Sequence, residues 1–215
     1  MKRRAVHRRS ARAFALATIA LISLALPGPV TPANGAAPYH DPDWTADGGV
    51  AGAALGVSVA AAGDVNGDGY GDVVVGAPRH HGLYTQMGQA RLYLGGPGGL
   101  SSAATWTRMG VQDAAQFGGQ VSGAGDVNGD GYDDLLVSSP KYANGQSEEG
   151  LVQLFLGSAA GPEASASWSV ESDRAYSGFG SAIAGVGDLN GDGIDDIAIG
   201  APRYSNGQVG EGRIY

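Results

Sequence analysis

Residues 64–78 read DVNGDGYGDVVVGAP, and two later stretches of the chain repeat this sequence closely. Residues 126–140 read DVNGDGYDDLLVSSP and residues 188–202 read DLNGDGIDDIAIGAP, so the interval is 62 residues both times. Other landmarks keep the same interval: Trp44, Trp106 and Trp168, and the pairs Leu55-Gly56, Phe117-Gly118 and Phe179-Gly180. Several landmarks held in one register without a gap indicate three copies of one structural unit.

Within each copy the hydrophobic pattern predicts β-strands. Short apolar runs rich in branched residues lie between turn signals at 73–75, 135–137 and 197–199, which is typical of buried strands. A proline follows each run and ends it, because proline has no N–H to donate to a neighbouring strand. Further strands are expected around 57–61, at 90–94 and 152–156, and at each tryptophan. Four strands per copy without helical periodicity predict an all-β protein built of β-propeller blades.

The copies span about 39–100, 101–162 and 163–215, and the third is shorter than the others. Its last residues, Arg213-Ile214-Tyr215, align with Arg91-Leu92-Tyr93, so the sequence ends within the third predicted strand of that copy. A propeller ring usually needs four to eight blades. We therefore expect three repeats of 62 residues that form an incomplete propeller.

Residues 1–37 have the layout of a secretory signal peptide, which leaves 38–215 for the repeats. Six basic residues precede an apolar run at 13–26, and small residues follow at 33–37. The run is shorter than the roughly 20 residues that span a bilayer, so no membrane span is expected in the mature chain. Export by the general or the twin-arginine route remains open. The signals predict a secreted, extracellular protein.

Composition narrows the possible partners. The chain has 38 glycines, as a turn-rich β-protein would, and no cysteine that could form a disulfide or a thiolate metal site. After removal of residues 1–37, seven basic and 21 acidic side chains remain, for a net charge of −14. Such a surface repels nucleic acid and anionic lipid and attracts metal cations.

Each copy carries the pattern D-x-N-x-D-G-x-x-D, which predicts a calcium loop. Side-chain oxygens at positions 1, 3, 5 and 9 converge if the loop curls, which the glycine at position 6 permits. The backbone carbonyl of position 7 would complete the set, so its side chain is free to vary. Hard oxygen donors favour Ca²⁺ over zinc or copper, and Mg²⁺ suits a tighter octahedron. The predicted ligands of the three Ca²⁺ sites are Asp64, Asn66, Asp68, Tyr70 and Asp72; Asp126, Asn128, Asp130, Tyr132 and Asp134; and Asp188, Asn190, Asp192, Ile194 and Asp196.

The loops differ from EF-hands, because position 12 is Val75, Val137 or Ile199 instead of a bidentate glutamate. Position 8 is an additional aspartate in the second and third copies but Gly71 in the first. From this difference we infer that the additional carboxylate is dispensable to the loop.

The order Phe-Gly, aspartate loop, Gly-Ala-Pro resembles the FG-GAP repeats of integrin α-subunits. The third copy matches throughout, whereas the first has Leu55-Gly56 and the second has Ser138-Ser139-Pro140. The resemblance covers about 39–215. It implies blades of a seven-bladed β-propeller, with calcium bound in the loops that join the first two strands of a blade.

The resemblance implies an extracellular binding or adhesion module whose protein or glycan ligand the sequence does not name. The alternative is the non-catalytic propeller portion of a secreted hydrolase, phospholipase D-like or esterase-like, whose catalytic domain is absent here, since similar repeats accompany glycosylphosphatidylinositol phospholipase D. No catalytic constellation is visible: His40, His80 and His81 are interpreted as solvated, and no G-x-S-x-G motif accompanies them. The repeated tryptophans are expected to pack within the fold.

Overall fold

The computed structural model describes residues 43–215, and all the regular secondary structure in that range is β-strand. The predicted signal peptide and His40 lie outside the described residues. The strands form three antiparallel sheets. They are β1 (Ser58–Gly63), β2 (Asp72–Ala77), β3 (Gln89–Tyr93) and β4 (Trp106–Met109); β5 (Val121–Gly125), β6 (Asp134–Ser139), β7 (Leu151–Phe155) and β8 (Trp168–Glu171); and β9 (Ala182–Gly187), β10 (Asp196–Ala201) and β11 (Arg213–Ile214).

Each sheet is a meander in which every strand pairs with the next one along the chain. The first strand of each sheet contains an irregularity just before its aspartate loop, where Gly63, Gly125 and Gly187 pair with the first residue of the next strand. All three glycines have positive φ, between 72° and 80°, which other residues adopt only with strain. Bulges of this kind bend a strand and change the direction of the residues after it. The repeated glycine therefore sets the direction in which each loop leaves its sheet.

The three sheets pack side by side as blades, which confirms the predicted fold. Contacts between β1 and β5, and between β5 and β9, place the first strand of each sheet on the inner side. In β6 the buried side chains alternate between the two interfaces: Leu135 and Val137 face the first sheet, and Leu136 faces the third. Every residue of β6 is buried, because the middle blade is covered on both faces. The described range thus contains an open row of three blades.

The Phe-Gly signature joins neighbouring blades. Phe117 is buried in the core between the first two sheets, and Phe179 in the core between the second and third. The Gly118 N–H donates to the Ser138 carbonyl at 2.9 Å, which fastens the signature to β6 of its own blade. A side chain at Gly76 would overlap the Gly118 carbonyl oxygen, so the Gly-Ala-Pro of the first copy touches the Phe-Gly of the second.

The outer strand of each complete sheet comes from the tryptophan segment of the following copy. The ring of Trp106, in β4, meets Phe155 edge-on at 5.1 Å, and its Nε1–H donates to the Glu163 carbonyl at 3.0 Å. Trp44, outside any strand, makes the same pair of contacts with Tyr93 at 4.8 Å and with the Ser101 carbonyl at 2.9 Å. These two tryptophans pack within the fold, as expected, whereas Trp168, in β8, is 42% exposed, contrary to that expectation.

Candidate metal loops

The three aspartate loops join the first two strands of their sheets and are closed by the carboxylate at position 1. In the first loop the two oxygens of Asp64 accept the N–H groups of Asp68 and Gly69, at 3.0 and 2.7 Å. The corresponding bonds to Asp126 measure 3.1 and 2.8 Å, and those to Asp188 measure 3.1 and 2.9 Å. The loop backbone therefore curls around its first residue in all three copies.

Positions 3 and 5 lie together on the exposed side of the loop. The Asn66 Nδ2–H donates to Asp68 Oδ2 at 2.9 Å, and the Asn128–Asp130 pair repeats this bond at 2.9 Å. At position 7, Tyr70 is 42% and Ile194 is 40% exposed, whereas Tyr132 is half-buried beside Gly67 of the first loop. The side-chain oxygens of positions 1, 3 and 5 are thus gathered in one short loop.

The carboxylate at position 9 ties the loop to the body of the blade. Asp72 begins β2 and is 1% exposed. Its Oδ2 accepts the N–H of Val65 at 3.0 Å, and its Oδ1 accepts the N–H of Gly95, in the turn after β3, at 2.8 Å. Asp134 bonds in the same way, to Val127 at 3.0 Å and to Gly157 at 2.7 Å.

Burial and neighbouring charge make the carboxylates of Asp72 and Asp134, at position 9 of the first two loops, costly to ionise. Burial raises the pKa of Asp134 to about 6; the Gly157 and Val127 N–H groups lower it, and the charges of Asp130 and Asp126 add to the increase. The pKa of Asp72 is raised for the same reasons. At position 1 of the third loop, hydrogen bonds from the backbone, Gly193 first, instead lower the pKa of Asp188. The charges at positions 1 and 5 thus add to the cost of ionising position 9 in the first two loops, so negative charge is concentrated there.

The donors and the charge fit a hard cation. Carboxylate and amide oxygens are the ligands that Ca²⁺ prefers, and its two positive charges would offset the mutual repulsion of the carboxylates. The first loop offers all of the predicted side-chain donors within nine consecutive residues, and the other two loops match it. The residues present are therefore suited to Ca²⁺.

Position 8 has a role that reasoning within one copy missed. Asp133 Oδ2 accepts the N–H of Asp64, in the preceding blade, at 2.7 Å, and the Asp133 N–H donates to the Asp64 carbonyl at 3.2 Å. Asp195 bonds to Asp126 in the same way, at 3.0 and 3.1 Å. A side chain at Gly63 would overlap the Asp133 carboxylate. The additional aspartate therefore holds the loop of the neighbouring blade, which the repeat pattern alone could not show.

One expectation about the histidines is wrong. His80 is only 6% exposed and its Nδ1 has no hydrogen-bond partner among the described residues, whereas His81 is exposed, as expected. Burial, followed by the charges of Arg91 and His81, lowers the pKa of His80. His80 is buried because the connection between β2 and β3 folds back on itself, with the Gly88 N–H donating to the His80 carbonyl at 3.1 Å.

The FG-GAP repeat family model matches residues 55–89, 117–155 and 179–215, which together are just over half of the chain. The chain belongs to the FG-GAP repeat family. Each matched segment begins with its Phe-Gly or Leu-Gly pair, includes one aspartate loop and extends into the third strand of the same sheet.

The chain is also similar to integrin α-subunits. It is 36% identical over 159 residues to integrin alpha-PS2 of Drosophila melanogaster, 36% over 146 residues to integrin alpha-IIb of Mus musculus and 30% over 168 residues to integrin alpha-5 of Xenopus laevis. These alignments cover 68%, 64% and 74% of this chain but only 11%, 14% and 16% of the relatives. The chain thus spans a small part of their length. Between residues 43 and 215, no helix is long and apolar enough to cross a membrane.

Proposed function

We propose that this chain is a secreted, calcium-stabilised module for extracellular binding or adhesion. The observation that carries the proposal is the aspartate loop, which is present three times. In each copy the N–H groups of positions 5 and 6 donate to the carboxylate of position 1, and the N–H of position 2 donates to the carboxylate of position 9. The similarity to integrin α-subunits supports the extracellular setting. The layout of residues 1–37 supports secretion.

In this proposal the side chains at positions 1, 3, 5 and 9 and the carbonyl at position 7 hold one Ca²⁺ per loop. The ion supplies positive charge where three carboxylates meet. The chain itself supplies the frame: in the first two blades the position-9 carboxylate, which begins the second strand, bonds to the start of the loop and to the turn after the third strand. Loops held in this way keep neighbouring blades in register, because Asp133 and Asp195 bond from one loop to the previous one.

The partner of the module is proposed to be an extracellular protein or glycan. The net charge of −14 after residues 1–37 disfavours nucleic acid and anionic membranes. Apart from the aspartate loops, the connections between strands are largely exposed and differ between the copies. This arrangement suits recognition, since loops on a rigid scaffold commonly carry binding residues.

The test compares the full chain with a triple variant, Asp68→Ala/Asp130→Ala/Asp192→Ala. Binding to a panel of immobilised extracellular matrix proteins and glycans is measured in millimolar calcium and in chelator. We expect binding in calcium that is lost in chelator and in the triple variant. The matched control is Asp43→Ala, an exposed aspartate outside the loops, which should bind like the wild type. Binding that persists in chelator and in the triple variant would refute the calcium dependence.

A further inference from the structure

Three carboxylates come together in the middle blade, away from its aspartate loop. One oxygen from each of Glu149, Glu171 and Asp173 lies within 4.8 Å of the others. Glu149 precedes β7, and Glu171 is the last residue of β8. The aspartate loop joins β5 to β6, whereas Glu149 lies in the next connection of the meander. Successive connections of an antiparallel meander lie at opposite ends of the strands, so this cluster is at the other end of the blade from the metal loop.

Glu149 points to a bound cation. It is fully buried, and its Oε1 accepts the backbone N–H groups of Asn144 and Gln146. Its Oε2 is also buried but has no hydrogen-bond partner among the described residues. A buried carboxylate oxygen without a partner is strongly unfavourable unless a positive charge compensates it. Two further carboxylates beside it increase the need for a cation.

The cluster is also accessible. Glu171 is half-buried and its oxygens lie 3.3 and 3.4 Å from the Asn144 Nδ2, while Asp173 is exposed. One side of the cluster therefore opens to solvent, which gives an ion a route of entry. Burial, followed by the charges of Glu171 and Glu149, raises the pKa of the nearby Tyr142. The negative charges of Glu149 and Glu171 are therefore both felt at the Tyr142 hydroxyl, beside the cluster.

The first blade shows that the fold does not require acidic residues here. The residues 62 positions earlier are Met87, Met109 and Val111, all of them apolar. A side chain at Gly82 would lie 2.6 Å from the Met87 sulfur and 3.6 Å from the Met109 sulfur, so the two methionines fill the equivalent space together. All three positions change from apolar in the first blade to acidic in the second. The third copy keeps a glutamate, Glu211, at the position of Glu149, so the acidic residue is shared by the second and third copies, whereas the first copy replaces all three positions.

We propose that Glu149, Glu171 and Asp173 form a fourth cation site, selective for a hard divalent ion such as Ca²⁺. The site offers only carboxylate oxygens from these side chains, which disfavours zinc and copper. Water would complete the six to eight ligands that Ca²⁺ takes, entering on the side of Asp173. The site is independent of the three aspartate loops, since it shares no residue with them.

The test counts the calcium ions that the full chain binds, by equilibrium dialysis with radioactive calcium. The wild type should bind four ions, and Glu171→Gln/Asp173→Asn should bind three. The control is Glu148→Gln, a neighbour outside the cluster whose equivalent in the first copy is Gln86, and it should still bind four. A second variant, Glu149→Met/Glu171→Met/Asp173→Val, copies the first blade and should also bind three.

Two comparisons separate this site from the loops. Asp68→Ala should remove one ion from the wild type and one from Glu171→Gln/Asp173→Asn, because the sites are independent. If the loops bound no calcium, the wild type would bind a single ion and the double variant none, and the fourth site would stand alone. A double variant that binds as many ions as the wild type would overturn the proposal, whether or not the methionine variant folds.

Discussion

Replacing Asp133 with alanine should weaken the first metal loop more than the second, although Asp133 lies in the second. Its Oδ2 accepts the Asp64 N–H at 2.7 Å across the blade interface, in a partly buried position. A hydrogen bond to a charged acceptor contributes about 1.5–3 kcal/mol, and its loss leaves the donor without a partner. We expect the free energy of unfolding in chelator to fall by about 2 kcal/mol. For a chain of this size the melting temperature would then fall by roughly 4–8 °C.

The contact between Asp133 and Asp64 should also affect the calcium affinity of the first loop. Asp64 is the first proposed ligand of its loop, and Asp133 fixes its backbone without being one of that loop's ligands. Loss of a group that orients a ligand commonly costs 10–100-fold in metal affinity. Calorimetric titration of Asp133→Ala should therefore show one weakened site. In an Asp68→Ala background, which lacks the first site, Asp133→Ala should leave the remaining calcium affinities nearly unchanged.

The control is Gly71→Asp, which places an aspartate at position 8 of the first copy. A Cβ at Gly71 meets nothing within 4 Å, and within residues 43–215 no aspartate loop precedes it. The new carboxylate has no loop to hold, so stability should change by less than about 0.5 kcal/mol. The reasoning would be refuted if Asp133→Ala weakened the second loop alone, or if it changed neither calcium affinity nor the melting temperature.

Four further outcomes are expected. Calcium at a hundredfold excess over its Kd should stabilise the chain by about 2.7 kcal/mol per site relative to chelator, and an unchanged melting temperature would contradict this. Asp130→Ala should lower the calorimetric calcium stoichiometry by one, whereas Asp43→Ala should not change it. The pKa of Asp134 is raised from 3.8 to about 6. In chelator, the contribution of this carboxyl group to the free energy of unfolding is therefore fully present below pH 3.8 and is lost as the pH rises through 6. Asp134→Asn should remove this pH dependence when the free energy of unfolding is measured by denaturation at a series of pH values. Leu136→Ala, in the core between the second and third sheets, should cost about 2–5 kcal/mol by chemical denaturation, against almost nothing for the exposed Val209→Ala.

The features that the sequence predicts well are those that arise within a single copy. The apolar runs became β2, β6 and β10, because residues with branched or large apolar side chains next to turn signals have few alternatives to a buried strand. The curled loop also follows from local chemistry, since Asp, Asn and Gly at fixed spacing bond to their own backbone. The calcium ligands themselves stay a prediction.

Contacts between copies could not be predicted in this way. Asp133 and Asp64 are 69 residues apart, and they meet only because two blades pack with their inner strands together. Glu149 and Glu171 meet because β7 and β8 pair with Leu151 opposite Glu171. His80 is interpreted from sequence as solvated because no catalytic motif accompanies it, but the fold of its loop buries it. In the first two cases the deciding information is the register of strands or the packing of sheets, which no single copy encodes.

Residues that are identical in the three copies and residues that differ between them have different roles in this chain. Positions 1, 3, 4, 5, 6 and 9 of the loop are invariant, and the hydrogen bonds that the side chains at positions 1, 3, 5 and 9 accept come from their own blade. Position 8 varies, and where it is aspartate it bonds to the preceding blade. The cluster at Glu149 varies as well, since the first copy has methionine there. A consensus sequence averaged over the copies would show neither the aspartate at position 8 nor the acidic cluster at Glu149. The differences between copies are therefore the place to look for contacts between blades and for sites that belong to one blade.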